Sequence, residues 1–138
     1  MKVKMQIVRV RLVEEVNGCE EAPVEIVKEL RGIKSSGEFK EFDLDKISLE
    51  EIHVDLDNRS EADHLIFENG KELFEKNDRV FFIGGDNSIN YSVVSAFREV
   101  VEDHLLVVFD AHADCMPPMK EPTHEEWLRA VIERGGLK

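Results

Sequence analysis

Two short apolar runs, Arg79–Ile83 and Leu105–Phe109, bracket a stretch whose apolar residues fall at helical spacing (Val93, Val94, Phe97 and Val101). Short runs rich in Val, Leu, Ile and Phe read as buried strands of a parallel sheet. A strand, a helix and a second strand in that order demand an α/β layer, with helices covering the sheet. Each run also ends in polar residues. Gly84-Gly85-Asp86-Asn87-Ser88 follows the first, and Asp110-Ala111-His112-Ala113-Asp114 follows the second. In open α/β sheets, ligands sit beyond the carboxyl ends of the strands, so both clusters lie where such folds do chemistry.

The rest of the chain repeats the alternation. Lys2–Val13 has apolar residues at every second position over most of its length, which predicts a first strand. Asn17-Gly18 marks a turn. Ala22–Arg31 reads as a helix with Pro23 near its first turn and Glu20, Glu21 and Glu25 at its positive end. Gly32–Lys40 is loop-like, and Phe39–Leu44 is open between loop and a short edge strand. Glu50–Asp55 suggests another strand, Ser60–Lys76 a long helix with Leu65, Ile66, Leu73 and Phe74 on one stripe. Ser88–Asp103 predicts a further helix. Cys115–Glu121 is a loop. Thr123, spaced from Glu126 as a capping box, begins a last helix that runs to Arg134 and stops at Gly135-Gly136. Residues 1–138 are expected to form one domain, a three-layer α/β/α structure around a mostly parallel sheet.

Composition narrows the partners. The chain has 30 acidic against 18 basic residues, a net charge of −12. That balance disfavours nucleic acid and anionic membranes, which are held by Lys and Arg. It would favour cationic ligands or metals, but an ordinary acidic soluble surface is the preferred reading of the charge alone. No apolar stretch is long enough to span a bilayer, and the amino terminus lacks a signal-peptide core. Two cysteines, Cys19 and Cys115, are too few for a disulfide framework, which fits a reducing cytoplasm.

Asp110, His112 and Asp114 offer an O, N, O donor set for a borderline or hard divalent ion. Alternation along an extended segment puts all three on one side. The competing reading makes the carboxylates turn or cap residues and His112 a satisfied histidine. It is the weaker one, because three ionisable groups against an apolar strand end need a compensating cation. For Gly84–Ser88 the cap reading is strong, since Asp, Asn and Ser are preferred helix caps.

Taken together, Gly-Gly-Asp-Asn-Ser and Asp-Ala-His-Ala-Asp resemble the ureohydrolases, the arginase and agmatinase family. That family's pattern reads Gly-Gly-Asp-His-Ser, then Asp-Ala-His-x-Asp, then a lone histidine. The stretch Gly18–Val27, with Ala22-Pro23, is similar to an early family segment. The resemblance spans nearly the whole chain but only the family's amino-terminal half.

It implies an arginase-like fold and a hydrolase of guanidino C–N bonds. Two manganese ions activate a water that attacks the guanidinium carbon. By position, Asp110 matches the carboxylate that bridges both ions, His112 a ligand of one and Asp114 a ligand of the other. His124 resembles the histidine that shuttles a proton near the substrate; without the resemblance it reads as an exposed residue at a helix start. Asn87 stands where the family has a histidine ligand. Its neutral amide oxygen is a weaker donor, so one manganese ion rather than two, or none, is expected. The family's later Ser-x-Asp-x-Asp-x-x-Asp-Pro motif does not occur in these 138 residues.

The expectation is a truncated arginase-like domain, inactive alone, that binds a small guanidino ligand once completed by a separate chain or by a second copy of itself. Its free sheet edges predict oligomerisation. In the family fold, later strands insert between the strand ending at Gly84 and the one ending at Phe109. Here those two must pair directly or receive strands from elsewhere. The alternative is a non-catalytic binding or regulatory module with a partial metal site. An acidic α/β binding domain whose Asp and His residues only cap elements is a third reading.

Overall fold

A computed structural model describes residues 4–30, 32 and 47–135. Among these residues three parallel strands form one sheet: β1 (Met5–Val10), β2 (Ser48–Ile52) and β3 (Arg79–Gly84), in the order β2-β1-β3. Among the described residues four α-helices accompany them: α1 (Ala22–Leu30), α2 (Arg59–Lys76), α3 (Asn90–Val100) and α4 (Trp127–Gly135). The expected α/β class and parallel sheet are what the structure has. The sequence readings of Met1–Val3, Arg31, Ile33–Lys40, Phe39–Leu44 and Gly136 lie outside the described residues.

Strand β1 is central, with Ile7 opposite Leu49 on one side and Phe81 on the other. Gln6, Ile7, Val8 and Val10 are all buried, so both faces of β1 are covered. The main core lies where Val8, Val10, Leu12 and Ile52 meet Ala62, Ile66 and Leu73 of α2. Those α2 residues recur at the spacing that keeps one helical stripe on a sheet. Asn58 starts α2: its side chain accepts the Glu61 N–H and its amide donates to the Glu61 carboxylate at 2.9 Å. Such a cap satisfies amide groups that the first helical turn leaves free.

Helices α2 and α3 cross at Gly70, where an added Cβ would stand 3.0 Å from Ala96 Cβ. Phe74, Phe82 and Phe97 close that side as an aromatic cluster, with Phe74 and Phe97 edge to face at 5.1 Å. At Gly18 the backbone turns left-handed (φ 103°), the conformation that the Asn-Gly pair favours. No helix is long and apolar enough to cross a membrane among the described residues. Cys19 and Cys115 are free thiols, both exposed.

Two expectations need correction. Arg79–Ile83 is a strand, but not a fully buried one: Phe81 is 51% exposed and the run is covered mainly from the α2 side. Leu105–Phe109 is not a strand. It makes no ladder with β1, β2 or β3, and Leu105 and Phe109 are 84% and 96% exposed. A strand exists only through a neighbour that accepts its hydrogen bonds. Among the described residues no strand lies beside Leu105–Phe109, so the apolar run stays unpaired and open to solvent. The two segments that had either to pair or to receive others therefore do not pair.

Candidate metal centre

The polar cluster forms all the same. One ligand atom from each of Asp110, His112 and Asp114 can be chosen so that all lie within 4.8 Å of one another. Simple alternation does not produce this convergence. Asp114 takes a left-handed backbone (φ 47°), uncommon for a residue with a side chain, and the 110–114 loop curls its carboxylate back towards Asp110. Asp110 accepts the His112 backbone N–H at 2.9 Å and the Asn87 amide at 2.7 Å. These two bonds hold its carboxyl below the ordinary carboxylate range, so it is charged at neutral pH. His112 is largely exposed, with Nδ1 3.7 Å from Asp110. Asp114 accepts the Trp127 indole N–H at 2.7 Å and the Asn87 amide at 3.0 Å.

Asn87 thus lies among the predicted residues, as its position after β3 demands. It presents its NH₂, not its oxygen, to both carboxylates. Asp86 fulfils the cap reading: it accepts the Ser88 N–H at 2.8 Å. Its other oxygen accepts the Glu14 N–H at 3.0 Å, which fastens the end of the β1 segment to the same turn. Gly85 is required here by close approach, since a Cβ would meet the Val13 side chain and lie 2.7 Å from the Cys19 carbonyl. The family-like Gly-Gly pair therefore has a packing role of its own.

His124 lines a cleft of about 470 Å³ with the 112–116 loop and Glu125. It sits in the turn before α4, which Thr123 and Glu126 brace. Glu126 reaches back to the Thr123 N–H at 3.1 Å and accepts the Thr123 hydroxyl at 3.0 Å. Half of the expected capping box is present, with Glu126 buried as its anchor.

Three contributors carry no motif in the sequence. Glu14 approaches His124 Nδ1 to 2.5 Å. Trp127, the chain's one tryptophan, bonds Asp114. Arg59 donates to the Ser88 and Pro122 carbonyls at 2.7 and 2.6 Å, joining the Asn87 turn to the His124 turn. Only Arg59 left a local trace, an acidic partner four residues on at Asp63.

Oxygen, nitrogen and oxygen donors at this separation fit a single divalent ion held by Asp110, His112 and Asp114. The sequence pattern of the arginase family matches residues 8–138. The chain belongs to the arginase family. Solved structures agree in fold. Formimidoylglutamase from Bacillus subtilis superposes with a TM-score of 0.82 at 24% identity, over 97% of this chain and 45% of that one. Proclavaminate amidino hydrolase from Streptomyces clavuligerus gives 0.83 at 19% identity, over 96% and 48%. This arginase-family chain spans about half the length of the solved structures it matches. No curated protein matches it by sequence.

Proposed function

We propose that the chain is the metal-binding half of a ureohydrolase-type enzyme, a hydrolase of linear amidines such as guanidino compounds. The reading rests on one observation above others: Asp110, His112 and Asp114 converge beside a cleft that also holds His124. Manganese is the proposed ion, held by those three side chains. When bound, such an ion acts as a Lewis acid and makes water nucleophilic at neutral pH.

The residues of the chain do the rest. Asp110 and Asp114 concentrate negative charge at the cleft, which favours a cationic guanidinium ligand. His124, on the wall of the cleft, is the group that gives a proton to a leaving amine. The partner is a separate polypeptide, or a second copy of the chain, that supplies the remaining half of the fold. The outer edge of β3 and the apolar Leu105–Phe109 segment, both unpaired among the described residues, are its proposed seat.

Two measurements test this. Elemental analysis of the protein purified with manganese is expected to find about one ion per chain, lost in Asp110→Ala. No stoichiometric metal, or metal unaffected by Asp110→Ala, overturns the metal reading. Urea release from arginine or agmatine is expected to be absent for the isolated chain. Turnover at ordinary enzyme rates, about 1–10³ per second, would overturn the claim that it needs completion. A second reading, a non-catalytic module with a partial metal site, is favoured by the Asn87 amide between the two carboxylates.

A further inference from the structure

Asn87 does more than vary a ligand position. Its Nδ2 donates to Asp110 Oδ2 at 2.7 Å and to Asp114 Oδ2 at 3.0 Å, while its Oδ1 accepts from Asn90 Nδ2 at 3.1 Å. Ionised carboxylates only accept hydrogen bonds, so the group facing them must be the NH₂. The Asn90 amide enforces the same orientation from the other side. Three of the four carboxylate oxygens already carry an N–H donor: Asp110 Oδ1 from His112, Asp110 Oδ2 from Asn87, and Asp114 Oδ2 from Asn87 and Trp127. A cation bound between the carboxylates needs the lone pairs on which the Asn87 hydrogens lie.

We propose that the Asn87 side chain is a built-in occupant of the Asp110–Asp114 pair, which holds the carboxylates together without an ion and which a divalent cation must displace to bind. The inference deepens the metal reading of the same site and rests on it. It makes the effect of Asn87 depend on the ion. Without metal, the amide offsets the repulsion of two close carboxylates through charge-assisted hydrogen bonds. With metal, it competes. An amide oxygen serving as a ligand, or a side chain serving only the turn, has neither consequence.

The test uses the full chain as wild type, Asn87→Ala, Asn87→His and Asn87→Asp. Thermal melting is followed with chelator and with saturating Mn²⁺, and free Mn²⁺ is titrated by electron paramagnetic resonance. With chelator, Asn87→Ala is expected to melt below wild type, and Asn87→Asp lower still because it adds a third carboxylate. With Mn²⁺ the deficit of both shrinks or reverses. Asn87→Ala is expected to bind Mn²⁺ about tenfold more tightly than wild type, the order expected from removing a competing hydrogen bond to a charged group. Asn87→His, which adds an imidazole donor, binds at least as tightly as Asn87→Ala.

Equal Mn²⁺ affinity and equal Mn²⁺-induced shifts in wild type and Asn87→Ala overturn the inference and leave the metal site standing. Weaker binding in Asn87→Ala overturns it in favour of a ligand role. Absence of Mn²⁺ binding in every variant, Asn87→His included, overturns the metal site itself and the inference with it. Should Asn87→Ala fail to fold with chelator, Asn87→Asp and Asn87→His carry the comparison, and failure of Mn²⁺ to restore either relative to wild type counts against displacement.

Discussion

Arg59 and Asp63 show how few side chains hold the site in register. Arg59 is mostly buried, pairs with Asp63 at 3.3 Å, and spends its outer nitrogen on the Ser88 and Pro122 carbonyls. Arg59→Ala leaves both carbonyls without that donor and Asp63 without its cation. It is expected to cost about 2 kcal/mol, the usual scale for bonds to a charged donor, read as a lower urea midpoint. Asp63 accepts the Ser92 hydroxyl at 3.1 Å, yet burial outweighs its partners and pushes its carboxyl above the ordinary value of 3.8. The native state therefore holds a proton on Asp63 at pH values where the unfolded chain has lost it. That preference favours folding below about pH 3.8 and is lost as pH rises through the raised folded value. Asp63→Asn removes the titration. The stability of wild type relative to Asp63→Asn is expected to fall as pH rises from 3 to beyond that value, as followed by urea unfolding across the range. Parallel curves for the two proteins would contradict the assignment.

At the scale of elements, the helices were the most legible. The Ser60–Lys76 reading differs from α2 by one residue, because an amphipathic stripe is a local signal. The predicted Ser88–Asp103 helix shortens to Asn90–Val100, preceded by a turn of 3-10 helix that Asp86 caps. The Gly70 crossing was not legible, since a glycine inside a helix reads only as a weakness until the facing helix is known. Gly70→Leu forces a side chain into the space of Ala96 and is expected to destabilise the fold by about 1–3 kcal/mol, measured as the shift in urea midpoint. A variant as stable as wild type would mean that α2 and α3 separate freely. The Leu105–Phe109 misreading has the opposite cause. Its composition is that of a strand, but composition cannot supply the neighbour.

For the whole molecule, the exposed run sets the expected behaviour in solution. A net charge of −12 opposes association, whereas a β3 edge unpaired among the described residues and a nearly bare Phe109 favour it. The apolar strip is expected to win, giving a self-associated species at micromolar concentration. Light scattering checks this, and a monodisperse monomer contradicts it. Phe109→Asp separates association from folding. Because the ring touches little of its own chain, the variant is expected to keep its stability within about 0.5 kcal/mol while shifting towards monomer. Loss of folding in Phe109→Asp would show instead that the segment is part of the core.

The sequence by itself determined the alternating parallel α/β order, through periodicity, and the nearness of Asp110, His112 and Asp114, through short spacing along one chain; their convergence needs the left-handed turn at Asp114. It also carried the family, through two motifs placed after apolar runs. Tertiary structure alone decided which apolar run becomes a strand, which face Asn87 turns to the carboxylates, and that Glu14, Arg59 and Trp127 converge on the site. Each of those outcomes depends on hydrogen-bond partners distant in sequence, and such partners exist only once the chain has folded.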